Sequence, residues 1–276
     1  MREDVGKQPR LESPWRLIQD GPADGAWNMA VDEAIATAVG DGLAPATLRF
    51  YSWSAPTVSL GYLQKTPGGV DLTACRGRGI PVVRRVTGGR AVLHAAELTY
   101  SVAVPLPGSG GILPVLTVFT AFCQGLIAGL ARLGVEAAVS PAEPQTERDR
   151  DAGACFLLRG MPAVLVGGRK LLGSAQRRWD RSLLQHGSLL LDFDPHLHQA
   201  IFPAWSRTDP LAGVTSLRVL LGRLPTTAEL VSALVEGWSD VCGGPCIPGE
   251  LTPEERRVAV EVAQVRYRCA EWTFRR

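Results

Sequence analysis

The stretch PVVRRVTGGRAVLHAAELTYSVAV, residues 81–104, decides the fold class. Pro81 to Val86 reads as a strand rich in valine. Thr87-Gly88-Gly89 reads as a turn, because glycine tolerates the positive φ that a reversal needs. Arg90 to His94 is then the return strand, and Leu98 to Val104 is a third. No helix separates these strands, so βαβ crossovers do not organise this part of the chain.

Working outward, Asp24 can cap a helix over about Gly25 to Val39, with Trp27, Ala30, Val31 and Ile35 on one face. Thr47 to Trp53 and Thr57 to Tyr62 read as strands, parted by Ala55-Pro56. Val70 to Gly77 reads as a short helix. A longer helix from about Leu113 to Leu133 stops at Gly134. Ala163 to Val166, Gly167-Gly168 and Arg169 to Ser174 read as a hairpin, since paired glycines permit a tight turn. Leu183 to Leu191 reads as a strand. Thr226 with Glu229, and Thr252 with Pro253 and Glu255, spell two capping boxes before late helices. Strands and helices are intermixed without a regular βαβ period. The expectation is an α+β domain with a mixed or antiparallel sheet flanked by helices.

The 276 residues suit a single domain. The charge count is 29 basic against 27 acidic residues, which gives no reason to expect nucleic acid as a partner. Six irregularly spaced cysteines and a charged, polar Met1 to Arg16 point to a reducing cytoplasm with free thiols. Ile112 to Ala131 carries no charge and has the length of a membrane span. Its Pro114, Thr117, Thr120, Gln124 and two glycines fit a buried core helix better, so no membrane partner is expected.

Several residues can carry chemistry. Cys155 stands where a polar loop, Ser140 to Ala152, meets apolar Phe156-Leu157-Leu158. A loop end makes a thiol accessible, although a half-buried structural cysteine has the same signature. A thiol needs a nearby cation or base to act as a nucleophile. Arg169 and Lys170, just past the Gly-Gly turn, can supply one. Arg84, Arg85, Gly88, Gly89 and Arg90 form a segment where glycines between cations let a substrate approach the backbone. A turn with solvated arginines is the plainer reading. His94 and His186 can each be a general base or a hydrogen-bonded structural histidine. His196 and His198 near Asp192 and Asp194, and the pair Cys242 and Cys246, fall short of a metal-ligand set. Ser174 lacks a nucleophile-elbow context.

The strings Arg84-Arg-Val-Thr-Gly-Gly-Arg-Ala-Val-Leu-His94 and Glu97-Leu-Thr-Tyr-Ser101 resemble the superfamily of lipoate ligases, octanoyltransferases and biotin ligases. So do Gly168-Arg-Lys-Leu-Leu-Gly-Ser-Ala-Gln-Arg177 and Gln185-His-Gly-Ser188. The likeness is greatest to an octanoyltransferase branch. The resemblance implies a catalytic core of biotin/lipoate ligase type over about residues 32–248, with a helical segment over about 249–276. It implies transfer of octanoyl from acyl carrier protein to a lysine of a lipoyl domain or of the glycine cleavage H protein, without ATP or another cofactor.

In that branch the acyl-bearing cysteine has an Ala-Cys-Phe context, which Ala154-Cys155-Phe156 matches, and Lys170 matches the lysine that assists it. The implied substrate-binding set is Arg84, Arg85, Gly88, Gly89, Arg90, His94, Gly173, Ser174, Ala175, His186 and Gly187. After His94 come Ala95 and Ala96, where the family often has polar residues. The ATP-dependent ligases read differently at Thr87-Gly-Gly-Arg90 and Glu97-Leu-Thr-Tyr100. A ligase, an amidotransferase working between lipoyl domains and a non-enzymatic binder of lipoyl domains are the competing readings.

Overall fold

A computed structural model of the chain describes residues 14–66, 69–106, 115–140, 162–203 and 210–276. Strand β1 (Trp15–Ala23) leads into α1 (Gly25–Gly40), whose start is fixed by Asp24 accepting the Trp27 N–H at 2.8 Å. There follow β2 (Thr47–Trp53), β3 (Thr57–Leu60), α2 (Leu72–Gly77), β4 (Val82–Arg84), β5 (Val92–His94) and β6 (Glu97–Pro105). Then come α3 (Val115–Arg132), β7 (Ala138–Val139), β8 (Ala163–Val166), β9 (Arg169–Arg178) and β10 (Ser182–Leu190). The chain continues through α4 (Pro195–Ile201), α5 (Pro210–Gly213), α6 (Leu217–Leu221), α7 (Thr227–Cys242) and β11 (Cys246–Pro248). It ends with α8 (Pro253–Val262), a π-helical turn over Ala263–Tyr267, and α9 (Ala270–Thr273).

Eight strands form one mixed sheet in the order β11-β1-β2-β6-β10-β9-β8-β7, and β4-β3-β5 form a second. In the large sheet β1 runs parallel to β2 and β11, while every other neighbouring pair is antiparallel. The α+β expectation holds. The hairpin expected between Pro81–Val86 and Arg90–His94 does not form. Instead β3 lies between the two strands, parallel to β4 and antiparallel to β5. The reason is Arg85, whose guanidinium binds the carbonyls of Gly88 and Arg90 at 2.7 Å each. That contact folds the loop on its own arginine and leaves both strands free to pair with β3.

The large sheet separates two helical layers. On one face Leu98, Tyr100, Val102 and Val104 of β6 pack with α3 and α7 in a core that includes Phe122, Leu126, Leu234 and Trp238. A Cβ on Gly237 would lie 2.0 Å from the backbone nitrogen of Gly129, so small residues let α3 and α7 touch backbone to backbone. Much of α3 is core here, and no helix among the described residues is long and apolar enough to cross a membrane. On the opposite face lie α1 and the C-terminal helices, with Ile35, Ala259 and Tyr267 among the buried residues.

The C-terminal helices are anchored by charge as well as burial. Thr252 and Glu255 form a complete capping box at the start of α8. Glu255 also accepts both Arg16 terminal nitrogens, at 2.8 and 2.5 Å, tying α8 to β1. The other expected box is half made. Thr226 accepts the Glu229 N–H at 3.2 Å, but the Glu229 carboxylate is drawn to Arg223.

Candidate active site

Strand alternation aims the site. On β6 the apolar residues point to α3 and α7, which turns Glu97, Thr99 and Ser101 to the other face. On β10 the same period turns His186 and Ser188 that way, and β9 adds the small residues Gly173 and Ala175 opposite them. The second sheet covers this row with Ser59, Val92 and His94. Between the two sheets lies a cleft of about 420 Å³, solvent at its mouth included, lined also by Met29, Tyr51, Arg85, Ser174 and Gly187.

Two chains of hydrogen bonds run into the cleft. The first starts at Arg49, fully buried, which donates to Asp20 at 2.6 Å and to Asp32 at 2.8 Å. Asp32 also accepts from Tyr51 at 2.9 Å and Ser101 at 2.7 Å, and faces His186 Nδ1 at 3.0 Å. His186 Nε2 then meets the Thr87 hydroxyl at 2.6 Å. The second chain starts at Glu97. One of its oxygens faces His94 Nδ1 at 2.7 Å and accepts from Thr99 at 2.6 Å and Ser188 at 2.7 Å. His94 Nε2 meets the Ser59 hydroxyl at 2.7 Å. The Trp53 ring stacks on His94 with centroids 3.9 Å apart.

Arg85 joins the two chains. It donates to Thr87 Oγ1 at 3.1 Å and to Ser59 Oγ at 3.0 Å. Each hydroxyl therefore accepts from the guanidinium and can donate to its imidazole. Each imidazole in turn can donate its Nδ1 proton to a carboxylate.

Burial would raise the Asp32 carboxyl, but His186, Arg49 and Ser101 together hold it below its ordinary 3.8. Burial likewise opposes Glu97, and His94, Thr99 and Ser188 hold it below 4.5. Burial pulls His186 below 6.5 despite Asp32. For the two carboxyls, the stability gained is present above their ordinary values and is lost as the pH falls through the folded ones. For His186, the unfolded imidazole takes a proton below about pH 6.5 while the folded one resists, so folding loses ground from there downward. All three act in the same direction. The melting temperature is expected to fall steadily as the pH drops from 7 through 5 to 4, and His186→Gln should remove the upper part of that fall. A wild-type melting temperature that stays flat from pH 7 to 5 would contradict this.

The predicted residues divide between the cleft and its supports. Arg85, His94, Gly173, Ser174, Ala175, His186 and Gly187 all line the cleft. Gly187 has to be glycine, because a Cβ there would lie 2.4 Å from Ser174 Oγ and 2.6 Å from Tyr100 Cε1. Arg84 turns away from the cleft and is buried, donating to the carbonyls of Gly61 at 2.6 Å, Gln64 at 2.7 Å and Thr273 at 2.9 Å. Neither it nor Arg85 is a solvated arginine. Gly88 and Arg90 support the cleft through the carbonyls that Arg85 holds. Gly89 packs so close to Gly61 that a Cβ on the latter would meet the Gly89 oxygen at 1.9 Å. Ala95 and Ala96 do not position His94; Glu97, Ser59 and Trp53 do.

Cys155 lies outside the described residues, as does the Ser140 to Ala152 loop from residue 141 onward. Lys170 is the second residue of β9, on the second arm of the expected β8–β9 hairpin, and is buried, with its carbonyl accepting the Thr215 N–H at 3.0 Å. Of the five described thiols, Cys269 does not line the cleft and the other four are unsuited to attack. Burial pushes Cys123 and Cys242 up to about 12, and raises Cys75 and Cys246. Among the described residues no three His, Cys, Asp or Glu side chains stand where they could hold a metal ion.

Asp32, Arg49, Ser59, Tyr51 and Trp53 also build the site and carry no motif that singles them out in the sequence. A signal for Asp32 existed: Asn28 and Asp32 stand one helical turn apart on a helix whose other buried residues are apolar or glycine. Such a pair marks a polar stripe turned inward.

Comparison with known proteins places this architecture. The chain is 42% identical over 279 residues to the octanoyltransferase LipM of Symbiobacterium thermophilum, covering 96% of this chain and all of that one. It is 43% identical to the octanoyltransferase LipM of Kyrpidia tusciae, over 95% of this chain and 99% of that one. The fold superposes on a lipoate-protein ligase A solved with ATP, with a TM-score of 0.81 at 23% identity, over 95% and 99% of the two chains. A bipartite lipoate protein ligase from Thermoplasma acidophilum gives 0.76 at 24% identity, over 95% and 97%. Residues 24–239 match the family described as lipoyl protein ligase A/B catalytic domain. The chain belongs to that family, among its octanoyltransferases, and is an acyltransferase of lipoate biosynthesis.

Proposed function

We propose that the chain moves an octanoyl group from acyl carrier protein to Cys155, and from Cys155 to a lysine of a lipoyl domain or of the glycine cleavage H protein. One observation carries the reading. Three separate segments, Arg85 to His94, Gly173 to Ala175 and His186 to Ser188, converge on one cleft with two imidazoles and a guanidinium at its wall. The rest of the substrate-binding set, Arg84, Gly88, Gly89 and Arg90, supports that wall.

The energetics suit a two-step path. Moving the acyl group from a carrier thiol to Cys155 exchanges one thioester for another and is close to thermoneutral. Moving it to an amine makes an amide and runs downhill, so neither step needs ATP. A Lys170 ammonium brought to about 4 Å from the Cys155 thiolate would, at an effective dielectric of ~20, favour it by about 4 kcal/mol before desolvation. Each methylene of the octanoyl chain adds about 0.8 kcal/mol when buried.

Incubation with octanoyl-carrier protein, followed by mass spectrometry, should place one octanoyl adduct on the peptide that holds Cys155. A donor panel completes the test with octanoyl-H protein, and with free octanoate plus ATP. A chain that works only with free octanoate and ATP, or that carries the adduct on another cysteine, would refute the proposal.

A further inference from the structure

An ammonium that becomes an amide N–H sheds two protons. When the lysine nitrogen attacks the acyl carbon, a C–N bond forms and the C–S bond breaks. The electron pair leaves on sulfur, where one proton can follow it to give back the thiol. The other proton must be removed from the ammonium before attack, and that needs a base.

The cleft offers two imidazoles of the same local pattern, and their surroundings differ in two respects. Asp32, behind His186, already has a cation, because Arg49 lies 2.8 Å away. Glu97, behind His94, makes no ion pair with a lysine or arginine among the described residues, and its partner across an ion-pair distance is His94. One Glu97 oxygen gathers all its hydrogen bonds; the other is buried without a partner. A buried carboxylate in that state is costly, and a positive imidazole beside it relieves the cost. Trp53 adds a second difference. Its ring lies parallel to His94 within 12°, a placement that favours a cation on the imidazole.

We propose that His94, oriented by Glu97, takes the proton that the acceptor lysine must lose before it attacks the acyl thioester. The path is the Ser59 hydroxyl, which lines the cleft. It passes its own proton to His94 Nε2 and receives the one from lysine. Glu97 is a positioning residue that also balances the charge. His186, its carboxylate already neutralised by Arg49, stays neutral and holds Thr87 and the Arg85 guanidinium in place. Arg85, His186, Asp32 and Tyr51 also face this region, and His198 of α4 feels the charge of Glu97. This inference rests on the octanoyl-to-lysine reading above.

The experiment separates the two steps. Octanoylated enzyme is mixed with an apo lipoyl domain in a single turnover, and amide formation is followed from acid to alkaline pH. The wild-type rate should rise with pH and level off well below the pH at which either variant does. In His94→Gln and Glu97→Gln the neutral-pH rate should fall about 100-fold. Their profile should climb towards the lysine's own value near 10.4. Hydroxylamine, an amine already unprotonated at neutral pH, should react equally with all three enzymes.

Either variant keeping the wild-type rate and profile would overturn the inference. So would an equal loss with hydroxylamine and with lysine, the mark of a merely structural role. If His94→Gln does not fold, Glu97→Gln and Ser59→Ala carry the same readout. If the wild type makes amide without ever showing a Cys155 adduct, the thioester reading falls instead. The pH profiles of direct amide formation then still decide on His94.

Discussion

Cys155→Ala is expected to fold like the wild type and to lose octanoyl transfer by on the order of 10⁴-fold or more. Removing a nucleophile from a two-step path leaves only direct attack of lysine on the carrier thioester. That route keeps whatever positioning the cleft provides but forfeits the covalent intermediate. Four of the five described thiols are poor substitutes, because burial holds Cys123 and Cys242 near 12 and raises Cys75 and Cys246, and the fifth, Cys269, does not line the cleft. Steady-state amide formation, read alongside a melting curve, checks both halves of the expectation. Substantial transfer by Cys155→Ala would mean that the acyl group never rests on that sulfur. Lys170→Ala should lie between the two extremes, with thioester formation slowed at neutral pH and partly restored in alkali, where the thiol ionises unaided.

Asp32→Ala should be the most damaging single change to the fold, at about 3–5 kcal/mol in urea or guanidinium unfolding. The carboxylate collects Arg49, Tyr51, Ser101 and His186, all buried. Its removal strands the Arg49 guanidinium, whose remaining acid, Asp20, sits part-exposed on β1. Two hydroxyls and an imidazole lose a partner as well. Since a domain's whole stability is of order 5–15 kcal/mol, such a loss should show as poor expression or a much lower midpoint. Asp32→Asn keeps the shape and most hydrogen bonds, and should cost less. A cost below about 1 kcal/mol for Asp32→Ala would mean that water replaces the carboxylate freely and that the network is not sealed.

Local features were legible and non-local ones were not. The Gly167-Gly168 turn is read correctly because its chemistry is contained in two residues, both at positive φ of 55° and 76°. Asp24 and Thr252 announce their helices for the same reason. The insertion of β3 between β4 and β5 is invisible in residues 81–94, because it depends on a strand more than twenty positions upstream. The half-made box at Thr226 fails through Arg223, a competitor outside the four-residue motif. Glu97, Thr99 and Ser101 alternate with apolar residues, and alternation ordinarily marks the face turned to solvent. Here a second sheet covers that face, so the same pattern marks the wall of a cleft. The resemblance of Arg84–His94 to a known family located the region, but did not reveal that Asp32 and Glu97 stand behind its two histidines.

Arg84 and Arg85 are consecutive, yet they serve different parts of the molecule. Arg84 holds the carbonyl of Thr273, and its own carbonyl accepts the Trp272 indole N–H at 2.8 Å. Arg85 binds the hydroxyls that feed both imidazoles. A single peptide bond therefore separates the clasp on the last helix from the hub of the cleft. Loosening the tail, by a fused tag or a proteolytic nick, would reach the catalytic wall mechanically, without a ligand and without any domain movement.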